Sequence, residues 1–298
     1  MGRALVYRPG PLSMAKPPAL PPVAQPVDPE WAGTLRRRLR VPSERWAKLL
    51  CISFGPMVGL ALFYYMGAYP ELGKAIGPSV GAALGAAIMA SYWLSVRAAR
   101  VRGNAILVSE EHWPELHALV QESQARLGLH GLKAYVVQDL VLEQAGMRLG
   151  GDDCLLLRAS MVDAALSRGD LDVLRFHIGR KCGQIAFGHY RWSSNTLAGF
   201  GRLIYPLYAW YRRCQERSAD RAGLWVSGHR QLAHHGLAVL AAGVQIGGHL
   251  TPAAARTQLR ATKHGLWVRL VGWHTERIFY PQRIVNLDDA ARELGVGE

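Results

Sequence analysis

The stretch Leu174–His189, LRFHIGRKCGQIAFGH, decides how the rest of this 298-residue chain is interpreted. Ser167 and Asp170 precede it with the spacing of a capping box, which predicts a helix start near Asp170. Apolar residues then recur at helical spacing, and this periodicity predicts a buried stripe. The stripe consists of Leu171, Leu174, Ile178, Cys182 and Ile185.

A polar face lies beside that stripe on the same predicted helix. It carries His177, Arg180, Lys181 and Gln184. Three glycines also fall in the stretch although glycine is a poor helix former, namely Gly179, Gly183 and Gly188. We therefore expect another element to pack very close to this backbone. Spacing alone leaves open whether the polar face is the edge of a core helix or part of a functional site.

The stretch resembles the zinc-binding helix of the HtpX-like and CAAX-prenyl-endopeptidase-like membrane metallopeptidases. The pattern of that family is roughly I-G-H-E-L-G-H-I-x-x-G-H, inside a gluzincin fold. The matching residues here are Ile178, Gly179, Gly183, Ile185, Gly188 and His189. The resemblance places Arg180 and Gln184 where the family has its two His ligands, and Lys181 where it has the general-base Glu.

These substitutions remove the chemistry of the motif. A His-Glu-x-x-His helix works because two imidazoles one turn apart bind Zn²⁺ while the Glu activates a bound water. Arginine has no acceptor atom, lysine is a cation, and a glutamine amide is a weak zinc ligand. The segment Arg180-Lys181-Cys182-Gly183-Gln184 therefore predicts a degenerate site with no catalytic residue and no metal.

The segment CQERSADRAGLW, within Leu207–Val226, resembles the E-x-x-A-D-R segment of the same family. The resemblance implies that Glu216 stands at the position of the former third zinc ligand, with Asp220 and Arg221 after it. Glu216 and Asp220 are one turn apart on one face of a predicted helix. A buried carboxylate without its metal is an uncompensated charge. We therefore hypothesise that Arg180, helped by Lys181, neutralises Glu216 through a guanidinium–carboxylate pair.

The domain organisation follows from composition and charge. Residues 1–35 are rich in proline and are predicted to be a disordered tail. Residues 36–102 are predicted to form a transmembrane helical hairpin, with spans at about 48–67 and 74–96. The resemblance implies that residues 103–298 form a cytoplasmic metallopeptidase-like domain.

The positive charge is concentrated around the predicted spans. The first 102 residues hold 13 of the 35 Lys and Arg residues but 4 of the 22 Asp and Glu residues. This distribution favours membrane orientation over nucleic-acid binding and predicts that both termini are cytoplasmic. The expected location is a bacterial-type inner membrane, with the chain crossing it more than once.

The second predicted span contains a row of glycines at every fourth position, Gly73, Gly77, Gly81 and Gly85. Such a row lets helix backbones approach closely. Two interpretations are open: packing within the hairpin, and self-association or docking on another membrane protein.

The remaining segments predict an α+β domain that is mostly helical. Helices are expected at Glu110–Leu127, Ser160–Leu166, Gln231–Ala242 and within Thr251–Leu270, and strands at Ala134–Gln138 and Cys154–Leu157, with a turn at Gly150-Gly151. The four cysteines form no C-x-x-C pair, which favours free thiols. The histidines after Gly228 have no spacing typical of metal ligands. The segment Tyr280–Leu294 resembles the terminal H-P…R-I…L element of the family, with Tyr280 in place of the histidine.

These observations lead to an expected fold and three candidate functions. The fold is a two-helix transmembrane hairpin followed by a gluzincin-like metallopeptidase domain. The first candidate is a membrane-anchored pseudoenzyme that binds or regulates a protein partner. The alternatives are an active membrane zinc metalloendopeptidase with an atypical site, which alone would need a zinc cofactor, and a membrane scaffold or assembly subunit. The expected partners are the lipid bilayer and either a second protein or further copies of the chain, and no nucleic acid.

Overall fold

The computed structural model describes residues 29–138, 148–149, 152–191, 194, 197–262 and 265–297. It is mostly helical with a small sheet, which confirms the predicted α+β class. The first helices are α1 (Pro29–Leu39), α2 (Pro42–Ala68), α3 (Pro70–Asn104), α4 (Pro114–Arg126) and α5 (Ala159–Leu166). They are followed by α6 (Leu171–Ala186), a 3₁₀ helix (Ala198–Ile204), α7 (Tyr205–Ser227), α8 (Arg230–Gly247), α9 (Pro252–Thr262), α10 (Leu266–His274) and α11 (Tyr280–Leu294).

Helix α1 corrects the prediction of a disordered tail over residues 29–35. Ala32, Leu35 and Leu39 are spaced as on one helical face, and all three are buried. Arg36 fixes the helix to the domain by donating to the carbonyl oxygens of Leu127 and Gly128. The prediction relied on the proline-rich composition and overlooked the helical spacing of these apolar residues. Residues 1–28, the rest of the predicted tail, lie outside the described residues.

Helix α2 is long and apolar enough to cross a membrane. Its most apolar window has a mean hydropathy of 1.8, and 6% of that window is buried. Elsewhere in the described chain, α8 and α9 together are similarly apolar, but they meet at a bend of 113° and the face of α8 that includes Leu237 is buried in the core. The second predicted span lies within α3, which follows α2 after Tyr69. That α3 crosses a membrane stays a prediction.

The glycine row on α3 is not covered by the described part of the chain. A Cβ atom added at Gly77, Gly81 or Gly85 would meet nothing within 4 Å. Among the described side chains, no contact within the hairpin covers these three glycines. Self-association or docking on another membrane protein stays open as their role.

The sheet has the strand order β1-β2-β4-β3. Its strands are β1 (Ile106–Leu107), β2 (Lys133–Val137), β3 (Arg148–Leu149) and β4 (Asp152–Arg158). The central pair, β2 and β4, is parallel, with Lys133 opposite Cys154 and Val137 opposite Arg158. Both predicted strands are thus present, while the predicted turn at Gly150-Gly151 lies outside the described residues. Strand β4 leads through α5 into α6, so the sheet sets where α6 begins.

Helices α6 and α7 pack against each other at the centre of the core, and two glycines make this possible. A Cβ atom at Gly179 would lie 2.6 Å from the Cβ of Val226, and one at Gly183 would overlap the Cβ of Ala222. This confirms the predicted close packing for both glycines. Gly188 has another role, because it adopts the left-handed φ of +70° just after α6 ends.

The predicted start of α6 is confirmed, but its capping box is wrong. Asp170 is the N-cap residue and makes no side-chain cap hydrogen bond. Its Oδ2 instead pairs with Nε2 of His235 on α8, at 2.7 Å. The carboxylate therefore fixes α8 to the beginning of α6. All four cysteines are free and buried, as predicted.

Candidate functional site

A cleft of about 790 Å³ opens beside α6 and α7. The whole predicted polar face of α6 lines it, and so does Glu216 of α7. Asp220 lies buried behind Glu216, at 3% exposure. Arg221 is not part of the cleft lining, since its guanidinium donates to Glu293 and to the carbonyl oxygen of Arg38. The structure thus brings together most of the residues that the sequence singled out.

Asp220 is held between two arginines. Nε of Arg180 donates to Oδ1 at 2.6 Å, while Arg283 of α11 donates from Nε to Oδ2 at 2.9 Å and from Nη2 to Oδ1 at 2.7 Å. All three side chains are buried. Burial alone would raise the pKa of Asp220, but Arg283 and Arg180 outweigh it and hold that pKa below its usual value. The result is a buried ion cluster, formed by Arg180, Asp220 and Arg283.

The hypothesis that Arg180 neutralises Glu216 is wrong. Arg283 approaches Glu216 instead, with Nη1 3.3 Å from Oε1, and the backbone N–H of Ile278 donates to Oε2 at 2.7 Å. The packing of Arg180 explains the difference. A Cβ atom at Gly223 would lie 2.6 Å from Cγ of Arg180, so the arginine stem crosses α7 at this glycine. Asp220 lies one turn before Gly223 and is within reach.

Arg283 is the principal site residue that sequence reasoning missed. The sequence did mark this residue, because Arg283 and Ile284 match the R-I pair of the family's terminal element. Tyr280, at the position of the family's histidine, also lines the cleft. Its hydroxyl is buried without a hydrogen-bond partner among the described residues, and burial raises its pKa. The third degenerate position, Gln184, accepts a hydrogen bond from the hydroxyl of Tyr190.

A second buried cluster joins the cleft to the start of α2. Glu44 is fully buried, and its Oε1 lies 3.0 Å from Nε2 of His189. Ser218 donates to Oε2 at 2.5 Å, and Arg40 donates to Oε1 from both Nε and Nη2. Burial lowers the pKa of His189 although Glu44 opposes this shift. Sequence reasoning missed Glu44. The feature that could have identified it is that Glu44 is the only acidic residue in the basic segment 36–48.

The residues present do not fit a zinc ion. Glu216 and the buried Asp220 behind it already accept hydrogen bonds from guanidinium or backbone N–H groups. A guanidinium has no lone pair for a metal. Within the described part of the chain, no group of three or more His, Cys, Asp or Glu side chains is placed to hold a metal ion. His234 pairs with Asp288 at 3.0 Å, and neither residue lines the cleft.

The lining of the cleft carries more positive than negative side chains. The carboxylates among the lining residues are Glu216 and Glu276, and the cations are Arg158, Arg180, Lys181, Arg212, Arg277 and Arg283. Part of this charge is neutralised by Glu216, Glu276 and the buried Asp220. Arg277 is the exposed cation of this lining.

Comparisons with known proteins add no relative to this description. No family model, curated protein or solved structure matches the chain. The resemblance to the metallopeptidases thus depends on the residues quoted above, chiefly those of the two central helices and the terminal element.

Proposed function

We propose that this protein is a membrane-anchored, metallopeptidase-like pseudoenzyme that acts by binding a protein partner in the cleft. One observation carries the proposal: Arg180 and Arg283 engage the carboxylates at the place where the resemblance implies a metal centre. Removing one partner of a buried ion pair is costly because it leaves an uncompensated charge, so the arginines keep these carboxylates neutralised without a metal. The cleft then serves binding, with no activated water for hydrolysis.

The distribution of exposed side chains supports the membrane anchor. Leu60 and Phe63 of α2 are 70% and 80% exposed, although both are large and apolar. Exposed aromatic residues mark both ends of the helix, with Trp46 near its start and Tyr65 near its end. These two residues are about 29 Å apart along a helix axis. This separation matches the ~30 Å hydrocarbon core of a bilayer, whose two interfaces favour Trp and Tyr.

The charge of the cleft supports an acidic segment as the bound part of the partner. Lys181 and Arg277 lie in its lining, and Arg277 is exposed. A cleft of about 790 Å³ is within the size range of pockets that bind small ligands and can admit several side chains of a peptide. The partner is a second protein or another copy of this chain.

The binding test uses the purified full chain in detergent and a fluorescein-labelled octaglutamate peptide, read by fluorescence anisotropy. We expect the double variant Lys181→Glu/Arg277→Glu to bind at least about tenfold more weakly, a change equivalent to 1.4 kcal/mol. Arg292→Glu is the matched control, because Arg292 is exposed and outside the cleft lining. Equal affinity in all three proteins would contradict an acidic ligand in this cleft.

Two alternative functions are separated by further measurements. Stoichiometric zinc in the purified protein, together with casein cleavage that Glu216→Gln abolishes, would establish the atypical metallopeptidase and end the pseudoenzyme proposal. The scaffold alternative is favoured by the uncovered glycines Gly77, Gly81 and Gly85. If Gly81→Leu removes a co-purifying partner while Lys181→Glu/Arg277→Glu does not, the partner contacts the spans.

A further inference from the structure

Helix α10 leaves its apolar side chains uncovered. It contains no buried residue among Leu266–His274. Its exposed large apolar residues are Leu266, Trp267, Val268, Leu270, Val271 and Trp273. The single cation Arg269 lies on the opposite side of the helix from Trp267 and Val271, given 3.6 residues per turn. An apolar face of this size usually marks an interaction surface.

The uncovered surface continues onto the neighbouring elements. Leu203 and Ile204 at the end of the 3₁₀ helix are 67% and 43% exposed, and Tyr205 at the start of α7 is also exposed. The ring of Tyr205 stacks on His274 of α10, with ring centroids 6.2 Å apart. Residues 203–205 and 266–273 thus form one surface, named here the apolar patch.

Helix α10 is held to the domain by polar contacts at one end. Nη1 of Arg213 donates to the carbonyl oxygens of Thr275 at 2.7 Å and of Trp273 at 3.3 Å. These bonds fix the backbone at the end of the helix. They leave its apolar side chains uncovered by the described part of the chain.

The position of the patch relative to α2 indicates what that surface is. The 3₁₀ helix packs on α2 so closely that a Cβ atom at Gly201 would lie 2.6 Å from Sγ of Cys51. Cys51 is one turn after Lys48, the last charged residue before the uncharged run of α2. Trp46, on the same end of α2, is 68% exposed. The patch therefore lies at the level where α2 becomes apolar, which is the depth at which interfacial Trp residues occur.

We propose that the apolar patch lies in the headgroup–acyl boundary of the lipid bilayer that α2 enters. Such interfacial helices bury their apolar face about 5–10 Å into this boundary. The proposal depends on the proposed anchorage of α2 and adds a fixed orientation of the domain. Because α10 runs directly into Glu276 and Ile278 of the cleft lining, the cleft then opens next to the membrane surface.

The test uses the full chain in vesicles of phosphatidylcholine and phosphatidylglycerol, with one nitroxide spin label per protein. Labels are placed by Val271→Cys in the patch, Leu60→Cys on α2 and Gln121→Cys on α4, with unsubstituted protein as background because the native thiols are buried. Gln121 is exposed on α4, whose last residue, Arg126, accepts a hydrogen bond from Trp225 about 30 Å along α7 from Tyr205. Collision with oxygen and with a water-soluble nickel chelate reports depth.

We expect the label at 271 to have a depth between those of the other two, with oxygen contact favoured over nickel contact relative to position 121. If the label at 271 is as aqueous as that at 121 while position 60 lies in hydrocarbon, the patch proposal fails and the anchor stands. If the labels at positions 60 and 271 are both aqueous, the membrane anchor and the patch proposal are both overturned. Spin–spin broadening at 271 that disappears on dilution with unlabelled chain would show a second copy on the patch, and would also overturn the proposal.

Discussion

At the scale of single residues, Arg283 is the side chain on which the ion cluster depends. It contacts both Asp220 and Glu216 and is 7% exposed. We expect Arg283→Met to lower the free energy of unfolding by about 3–5 kcal/mol, because it leaves buried carboxylate charge uncompensated. Arg292→Met removes an exposed ion pair and should change it by less than about 1 kcal/mol. Denaturant titration in detergent, followed by tryptophan fluorescence, measures both, and equal small losses would contradict the role of Arg283.

His235 makes a pH-dependent contribution whose sign follows from its partner. The hydrogen bond to Asp170 raises the pKa of His235 and outweighs its burial. A raised pKa in the folded state means that the stabilisation is complete below the unfolded value of about 6.5 and is lost as the pH rises through the folded value. His235→Gln should therefore lower the melting temperature more at about pH 5.5 than at about pH 8.5. The pKa of His234 is shifted in the opposite direction, but its effect on stability is the same in the variant and the parent and cancels when the two are compared at each pH.

At the scale of secondary-structure elements, the contact between α6 and α7 sets the geometry of the cleft. Gly183→Ala should destabilise the protein by about 1–3 kcal/mol through overpacking against Ala222, more than the roughly 1 kcal/mol gained in helix propensity. Adding Ala222→Gly should restore part of the loss. Gly33→Ala in α1 is the control, because its Cβ would meet nothing within 4 Å and should be neutral or stabilising. A stabilising Gly183→Ala, measured by the same denaturant titration, would refute the tight contact.

Local spacing allowed the elements to be predicted, but not the pairing between them. Helix α6 could be located because its apolar period and glycines are encoded within one segment. The partner of Arg180 could not be predicted, because Glu216 and Asp220 share a helix face and spacing does not distinguish them. Arg180 pairs with Asp220 for two reasons. Gly223 has no side chain, so the stem of Arg180 can cross α7 there, and Glu216 is already paired with Arg283, which lies 63 residues beyond Asp220 in the sequence. The R-I pair of the terminal element marks Arg283 in the sequence, but its carboxylate partners can be identified only in the folded chain.

At the scale of the whole molecule, α7 connects α2, the cleft and the core. Its first residue, Tyr205, belongs to the apolar patch, and Glu216 in its middle lines the cleft. Ser218 donates to Glu44 at the start of α2, so the buried cluster around Glu44 fixes α2 to the same helix. If α2 anchors the chain as proposed, a partner in the cleft would meet a domain whose orientation is set by the membrane.

The orientation of the chain in the membrane gives the last prediction. Basic residues precede the first apolar run and follow the second, whereas Lys74 between them is paired with Glu71 at 2.8 Å. The positive-inside rule then places the connector at Tyr69 outside and the domain in the cytoplasm, provided that α3 returns across the membrane. In intact bacterial cells, Tyr69→Cys should react with a membrane-impermeant maleimide, while Gln121→Cys should react only after permeabilisation. Labelling of Gln121→Cys in intact cells would mean that α2 crosses alone or that the hairpin is inverted, and the cleft would then face the opposite compartment.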